Sequence, residues 1–165
     1  MPIAADTLRT HLDYTSWATH KLLDTASRLS LDQLNRDFGT SDRSVLGTLV
    51  HTFAADRIWL YRVTGGENPG FVSEADRSFA VLSEKWPQVL DRWKHWGQGL
   101  TDESVKVNIT YQDLKGNTWT QPVWQILLHL VNHGTHHRGQ VSGFLRSLGQ
   151  TPPATDLIYY YRELG

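Results

Sequence analysis

Apolar residues recur at helical spacing in four long stretches, separated by segments rich in turn-forming residues. In the first stretch, Leu8, Leu12, Leu22, Leu23 and Leu29 mark one face of a helix from about Asp6 to Arg28. The following Ser30-Leu-Asp-Gln33 carries the capping-box pattern, in which a serine hydroxyl and a glutamine side chain satisfy each other's first-turn backbone donors. It predicts a short helical turn. A second long helix starts at Asp42 or Ser44, either of which can cap it, and runs to about Thr64. Gly65-Gly66 then stops it, because glycine readily adopts the left-handed conformation that closes a helix. Residues 67–77 read as a loop. The third long helix runs from Ser78 or Ser83 to Leu100 and contains Pro87, which predicts either a kink or a late start.

The pattern then changes period. Val107, Ile109 and Tyr111 alternate with polar residues, Asp113 to Asn117 supply turn chemistry, and Thr118 to Thr120 provide a return strand. The fourth long helix is expected to use Thr120 as its cap, to tolerate Pro122 in its first turn, and to end at Gly149 before Pro152-Pro153. A short helix from Asp156 to Leu164 closes the chain. Four amphipathic helices and one hairpin predict an all-α fold: a four-helix bundle with a small β-hairpin before the fourth helix. The length of 165 residues fits a single domain, residues 1–165, with a sizeable buried core.

Composition narrows the function classes. The 16 Lys+Arg nearly balance the 17 Asp+Glu, which argues against nucleic acid as a partner. No apolar run approaches the ~20 residues of a membrane span, and the opening residues lack a secretory pattern, so a cytoplasmic protein without membrane attachment is expected. The absence of cysteine excludes disulfides and thiolate ligands. Most of the seven tryptophans are expected in the core; part of the series Trp86, Trp93, Trp96 is a candidate for a dimer contact instead.

Histidine is unevenly placed: four of the eight fall between 129 and 137. On a helix, Val123, Ile126, Leu130, Val141, Phe144 and Leu148 define one apolar stripe. His133 and His137 point into it, whereas His129 and His136 fall at its margin as bystanders. Two imidazoles one turn apart can converge on one ion, and burying them otherwise demands a partner for every ring nitrogen. A third ligand must come from elsewhere. His51 shares a face with Gly47, Ala54 and Ala55, opposite the main apolar stripe of its helix; these small neighbours leave room for an ion or for close approach of another helix. Spacing alone leaves His11, His20 and His95 as rivals.

The segment Trp124 to Gln140, WQILLHLVNHGTHHRGQ, resembles the signature of the DinB family. Tyr14-x-x-Trp17-Ala18, the run Leu49-Val50-His51 with Asp56 and Trp59, Gln121-Pro122, and Pro152-Pro153-x-x-Asp156 are similar to that family's other patterns, so the resemblance spans almost the whole chain. It implies a four-helix bundle, a dimer, and three histidine ligands that fall on His51, His133 and His137. Thr19 departs from the pattern, since asparagine often follows Trp-Ala in relatives, and a pocket contact from that position does not carry over.

Three neutral imidazoles around Zn²⁺ or Ni²⁺ leave a coordination position open, as catalytic sites do. The expected function is therefore a metal-dependent enzyme that activates a small thiol or a water for transfer to an electrophile. The low-molecular-weight thiol is expected by analogy with the wider superfamily. Asp56, His136, Arg138 and Gln140 are candidate pocket or supporting groups; for Asp56 and Arg138 a solvated or salt-bridged helix face is the competing expectation. The alternative function is a non-enzymatic, stress-related protein whose metal is structural.

Overall fold

The computed structural model describes residues 3–165. Its order is α1 (Ala5–Ala26), α2 (Leu31–Asn35), α3 (Val45–Thr64), α4 (Phe79–Gln98), β1 (Asn108–Gln112), β2 (Thr118–Pro122), α5 (Val123–Ser147) and α6 (Leu157–Leu164). The four long helices form a square. α1 and α3 each lie against both α4 and α5, so they occupy one diagonal. Leu8, Leu49, Phe53, Leu82, Trp86, Leu127, Leu130 and Leu145 are almost wholly buried between them. The fold is the expected bundle.

Local chemistry sets most boundaries. Ser30 and Gln33 form the reciprocal capping box at α2. At α3, Ser44 rather than Asp42 caps the helix, its hydroxyl accepting from the Gly47 N–H at 3.0 Å. Gly65 and Gly66 follow Thr64 with φ of +75° and +98°, a region that suits only glycine at low cost. Helix α4 begins at Phe79 and runs through Pro87, so the proline neither delays nor interrupts it. Trp86 and Trp93 beside it are buried, which shows how tertiary packing outweighs one missing backbone bond.

The start of α5 differs from expectation. Thr120 is not its cap: it lies in β2, opposite Thr110, and the two hydroxyls hydrogen-bond at 2.9 Å. Pro122 is the last strand residue, paired with Asn108, and precedes the helix rather than sitting in its first turn. The physical reason is continuity of the ladder, since the Val123 N–H still donates across to the Val107 carbonyl at 3.0 Å. That bond takes up a first-turn donor that a cap would otherwise satisfy.

Helix α6 packs back on α1. Tyr160 meets Tyr14 at a centroid distance of 5.9 Å, and Glu163 accepts from the Trp17 indole and pairs with Lys21. Tyr14, Ala18, Val131 and Tyr160 thereby make a small second apolar cluster on the α1–α5 flank.

Candidate metal centre

The seam between α3 and α5 carries the histidines. His51 sits in the second turn of α3, and His133 and His137 lie one turn apart near the middle of α5. His51 Nε2 is 3.0 Å from His133 Nε2, which is 3.2 Å from His137 Nε2. All three donor atoms lie within 4.8 Å of one another. Two imidazoles bound to one ion at about 2.0–2.1 Å place their nitrogens about 3–3.4 Å apart, so the two measured separations fit a shared cation.

The orientation of the rings supports that fit. His137 Nδ1 faces the Gln140 carbonyl oxygen at 2.7 Å and must donate to it, so Nε2 presents a lone pair to the cluster. His51 Nδ1 lies 3.7 Å from one Asp42 oxygen, and His137 Nδ1 lies 4.0 Å from the other. The carboxylate therefore sits behind the rings, on the side away from their convergent nitrogens. This is where an outer carboxylate raises the basicity of a ligating imidazole. His133 Nδ1 is buried with no partner among the described residues, so none of them fixes its proton. Among the described residues no fourth His, Cys, Asp or Glu joins the cluster.

Burial sets the charge state. Desolvation, reinforced by the neighbouring imidazoles, lowers the His133 pKa to about 3. His137 is also lowered by burial, against the opposing effect of its bond to Gln140. Both rings are neutral at neutral pH, as metal coordination requires.

The surrounding loops are built to hold this arrangement. Phe38 stacks on Phe144 of α5 at 4.3 Å, and its N–H donates to the Arg43 carbonyl, which pins segment 36–44 across the helix pair. Arg43 adopts a φ of +66°, a left-handed conformation uncommon for a residue with a side chain, and Asp42 lies beside it. A Cβ at Gly47 would collide with the Asp42 carbonyl oxygen. The small residue is thus needed for this protein's own loop. On the other side, Phe71 meets the His51 ring edge-on at 5.6 Å. Arg57 holds that loop by donating to the Phe71 carbonyl and both oxygens of buried Asp76.

The remaining candidates separate clearly. Gln140 touches His137 directly. His136 is exposed, its ring edge-on to His137 at 4.9 Å. His129 lies between Trp59, at 5.1 Å, and His133, at 5.7 Å, outside the triad. Asp56 is neither solvated nor bonded to the triad: it is buried, with Oδ2 accepting from the Trp86 indole at 2.7 Å. Arg138 is likewise buried, turned toward α1 with its guanidinium 5.1 Å from the Tyr14 ring. His11 and His20 bond the carbonyls of Thr7 and Ser16 on their own helix, and His95 is exposed on α4; none joins the cluster. Asp42 was legible in the sequence only as a possible helix cap, because no periodicity links a loop residue to a ligand nine positions later.

Comparison with known proteins agrees with this architecture. The Protein DinB of Bacillus subtilis (strain 168) is 22% identical over 163 residues, covering 90% of each chain. A DinB-like protein from Bacillus cereus ATCC 10987, solved as a crystal structure, superposes with a TM-score of 0.68 at 21% identity, over 93% of this chain and 99% of that one. The model of the DinB family matches residues 3–163, nearly the whole sequence, and this chain therefore belongs to the DinB family.

Proposed function

We propose that His51, His133 and His137 hold one divalent cation, Zn²⁺ or Ni²⁺, and that the protein is a metal-dependent enzyme acting on a small molecule. The observation that carries this reading is the convergence of three Nε2 atoms, two of the separations being 3.0 and 3.2 Å, without a fourth protein ligand among the described residues. Three imidazoles suit these borderline ions, and a structural site would be closed by a fourth side chain. An ion held this way supplies Lewis acidity, which favours the anionic form of a thiol or water as nucleophile at neutral pH.

The chain's own residues do the rest. Gln140 holds the His137 ring in one tautomer and one orientation. Asp42 places its carboxylate behind His51 and His137, where it would offset the charge of a bound dication. Phe71 packs edge-on against the His51 ring and limits its movement on that flank. His51 keeps about a third of its side chain exposed, so the cluster lies close to the protein surface. Thiol transfer to an electrophile is the favoured reaction class, with hydrolysis second.

The test combines metal analysis of wild type and of His51→Ala, His133→Ala and His137→Ala with turnover assays pairing small thiols with electrophiles. One ion per chain in wild type, lost in each variant together with turnover, is the expected result. Full occupancy in all three variants would remove the ligand set. Normal metal loss with no turnover on any thiol or ester would leave the ion a structural role only.

A further inference from the structure

A cavity of about 740 Å³ opens between α1, α5 and segment 152–159, whereas the triad lies between α3 and α5. Its most unusual wall is Arg138. The residue is 4% exposed, yet Nε and Nη1 have no hydrogen-bond partner; only Nη2 is engaged, donating to Thr135 Oγ1 at 2.9 Å. The guanidinium lies between Tyr14 and the backbone at Gly134, where a Cβ would come within 2.8 Å of Nη1. The buried Asp56 carboxylate does not pair with it, since Asp56 Oδ1 is itself without a partner and Oδ2 is bonded to Trp86. Nε and Nη1 are shut off from solvent in this arrangement, and the Asp56 carboxylate offsets the charge through space without a hydrogen bond; a buried guanidinium in that state gains from a further anion.

The other lining groups have the composition of an organic-anion site. Arg146 stands two helical turns beyond Arg138 at the exposed mouth, about 12 Å along the axis. Ser142 lies between them, and His11, whose Nδ1 is taken by the Thr7 carbonyl, also lines the cavity. Asp156 is the single carboxylate among the lining residues and is exposed at the rim. Val131 and Leu157 supply an apolar wall. Tyr14 braces the rim by donating to the Thr155 carbonyl at 2.8 Å, so the C-terminal segment forms a fixed wall.

We propose that this cavity is a second binding site, separate from the triad, for a small organic molecule whose carboxylate or phosphate is held by Arg138, with Arg146 adding positive charge at the mouth. Guanidinium pairs with either oxyanion through parallel N–H···O bonds, so both ligand classes share this chemistry. The inference does not depend on a metal at the triad.

The experiment is calorimetric titration of the metal-loaded protein with inorganic phosphate and, separately, with glutarate, at constant ionic strength with chloride as the control anion. Saturable one-to-one binding of one probe is expected, and which probe binds assigns the headgroup as phosphate or carboxylate. Arg146→Gln should weaken binding at least about tenfold, and Arg138→Gln about a hundredfold. Ser142→Trp, which fills the cavity from its mouth, should abolish it, and His137→Ala should leave it within about twofold of wild type. Should Arg138→Gln fail to fold, Arg146→Gln and Ser142→Trp decide. No saturable binding of either probe up to about 10 mM, undiminished binding in both of those variants, or loss of binding in His137→Ala would overturn the proposal.

Discussion

Replacing Asp56 by asparagine should remove an unusual pH dependence. Asp56 is 1% exposed, Oδ2 accepts from the Trp86 indole, and Oδ1 has no partner. Burial raises its pKa from 3.8 to about 7, against smaller lowering effects from Trp86 and Arg138. The unfolded chain gives up this proton near pH 4, while the folded protein keeps it until about pH 7. Between those values the folded state binds more protons. The acid's contribution to stability is therefore full below pH 4 and declines as pH rises, by about 1.4 kcal/mol per unit, to a loss of about 4 kcal/mol above pH 7.

Asparagine does not titrate, and its carbonyl can still accept from Trp86. Its amide takes the place of the unpartnered Oδ1 and leaves donors unsatisfied, at a cost of about 1–3 kcal/mol. Asp56→Asn should therefore be more stable than wild type at pH 8 by about 1–3 kcal/mol, with that advantage shrinking by about 2–3 kcal/mol on going to pH 5. The depressed His133 and His137 act in the opposite direction, since they favour folding above their unfolded pKa and lose that contribution as pH falls. Comparing the two proteins at each pH cancels this background. The assay is urea unfolding of chelator-treated protein between pH 5 and 8, followed by tryptophan fluorescence. A stability difference constant to within about 0.5 kcal/mol across that range would refute the burial argument.

Three further outcomes follow from the contacts around the triad. Gln140→Ala removes the acceptor that orients His137 and should weaken metal binding about 10–100-fold in a chelator competition while leaving the helix content unchanged. Gly47→Ala drives a methyl group into the Asp42 carbonyl. Unfolding should become easier by about 1–3 kcal/mol, and metal affinity should fall as segment 36–44 shifts away from the two imidazoles. Arg57→Ala strips buried Asp76 of its counter-charge and releases the Phe71 carbonyl. Stability should drop by about 3–5 kcal/mol, and limited proteolysis should cut within residues 65–78, which stay protected in wild type.

Helix existence and order were legible because each long helix repeats apolar residues on one face, and serine or glycine marks both ends of α3 and α4. Pro87 and Thr120 show where local rules give way. One misses a backbone bond that the burial of Trp86 and Trp93 outweighs, and the other is taken by strand pairing that continues to the first residue of α5. His133 and His137 could be read as a pair because their relation is a property of one helix. Their relation to His51 is not, as 82 positions separate His51 from His133 and spacing alone left His11, His20 and His95 as rivals; only the resemblance singled it out.

The sequence by itself determined the bundle, the position of the hairpin, and the pair of imidazoles one turn apart. Tertiary structure decided which third histidine meets them, that Asp42 stands behind them, and that Asp56 and Arg138 are buried rather than solvated. The division has one cause. Periodicity reports the face of a helix that avoids water, whereas the partner across that face depends on how helices distant in sequence pack, and no local pattern encodes it.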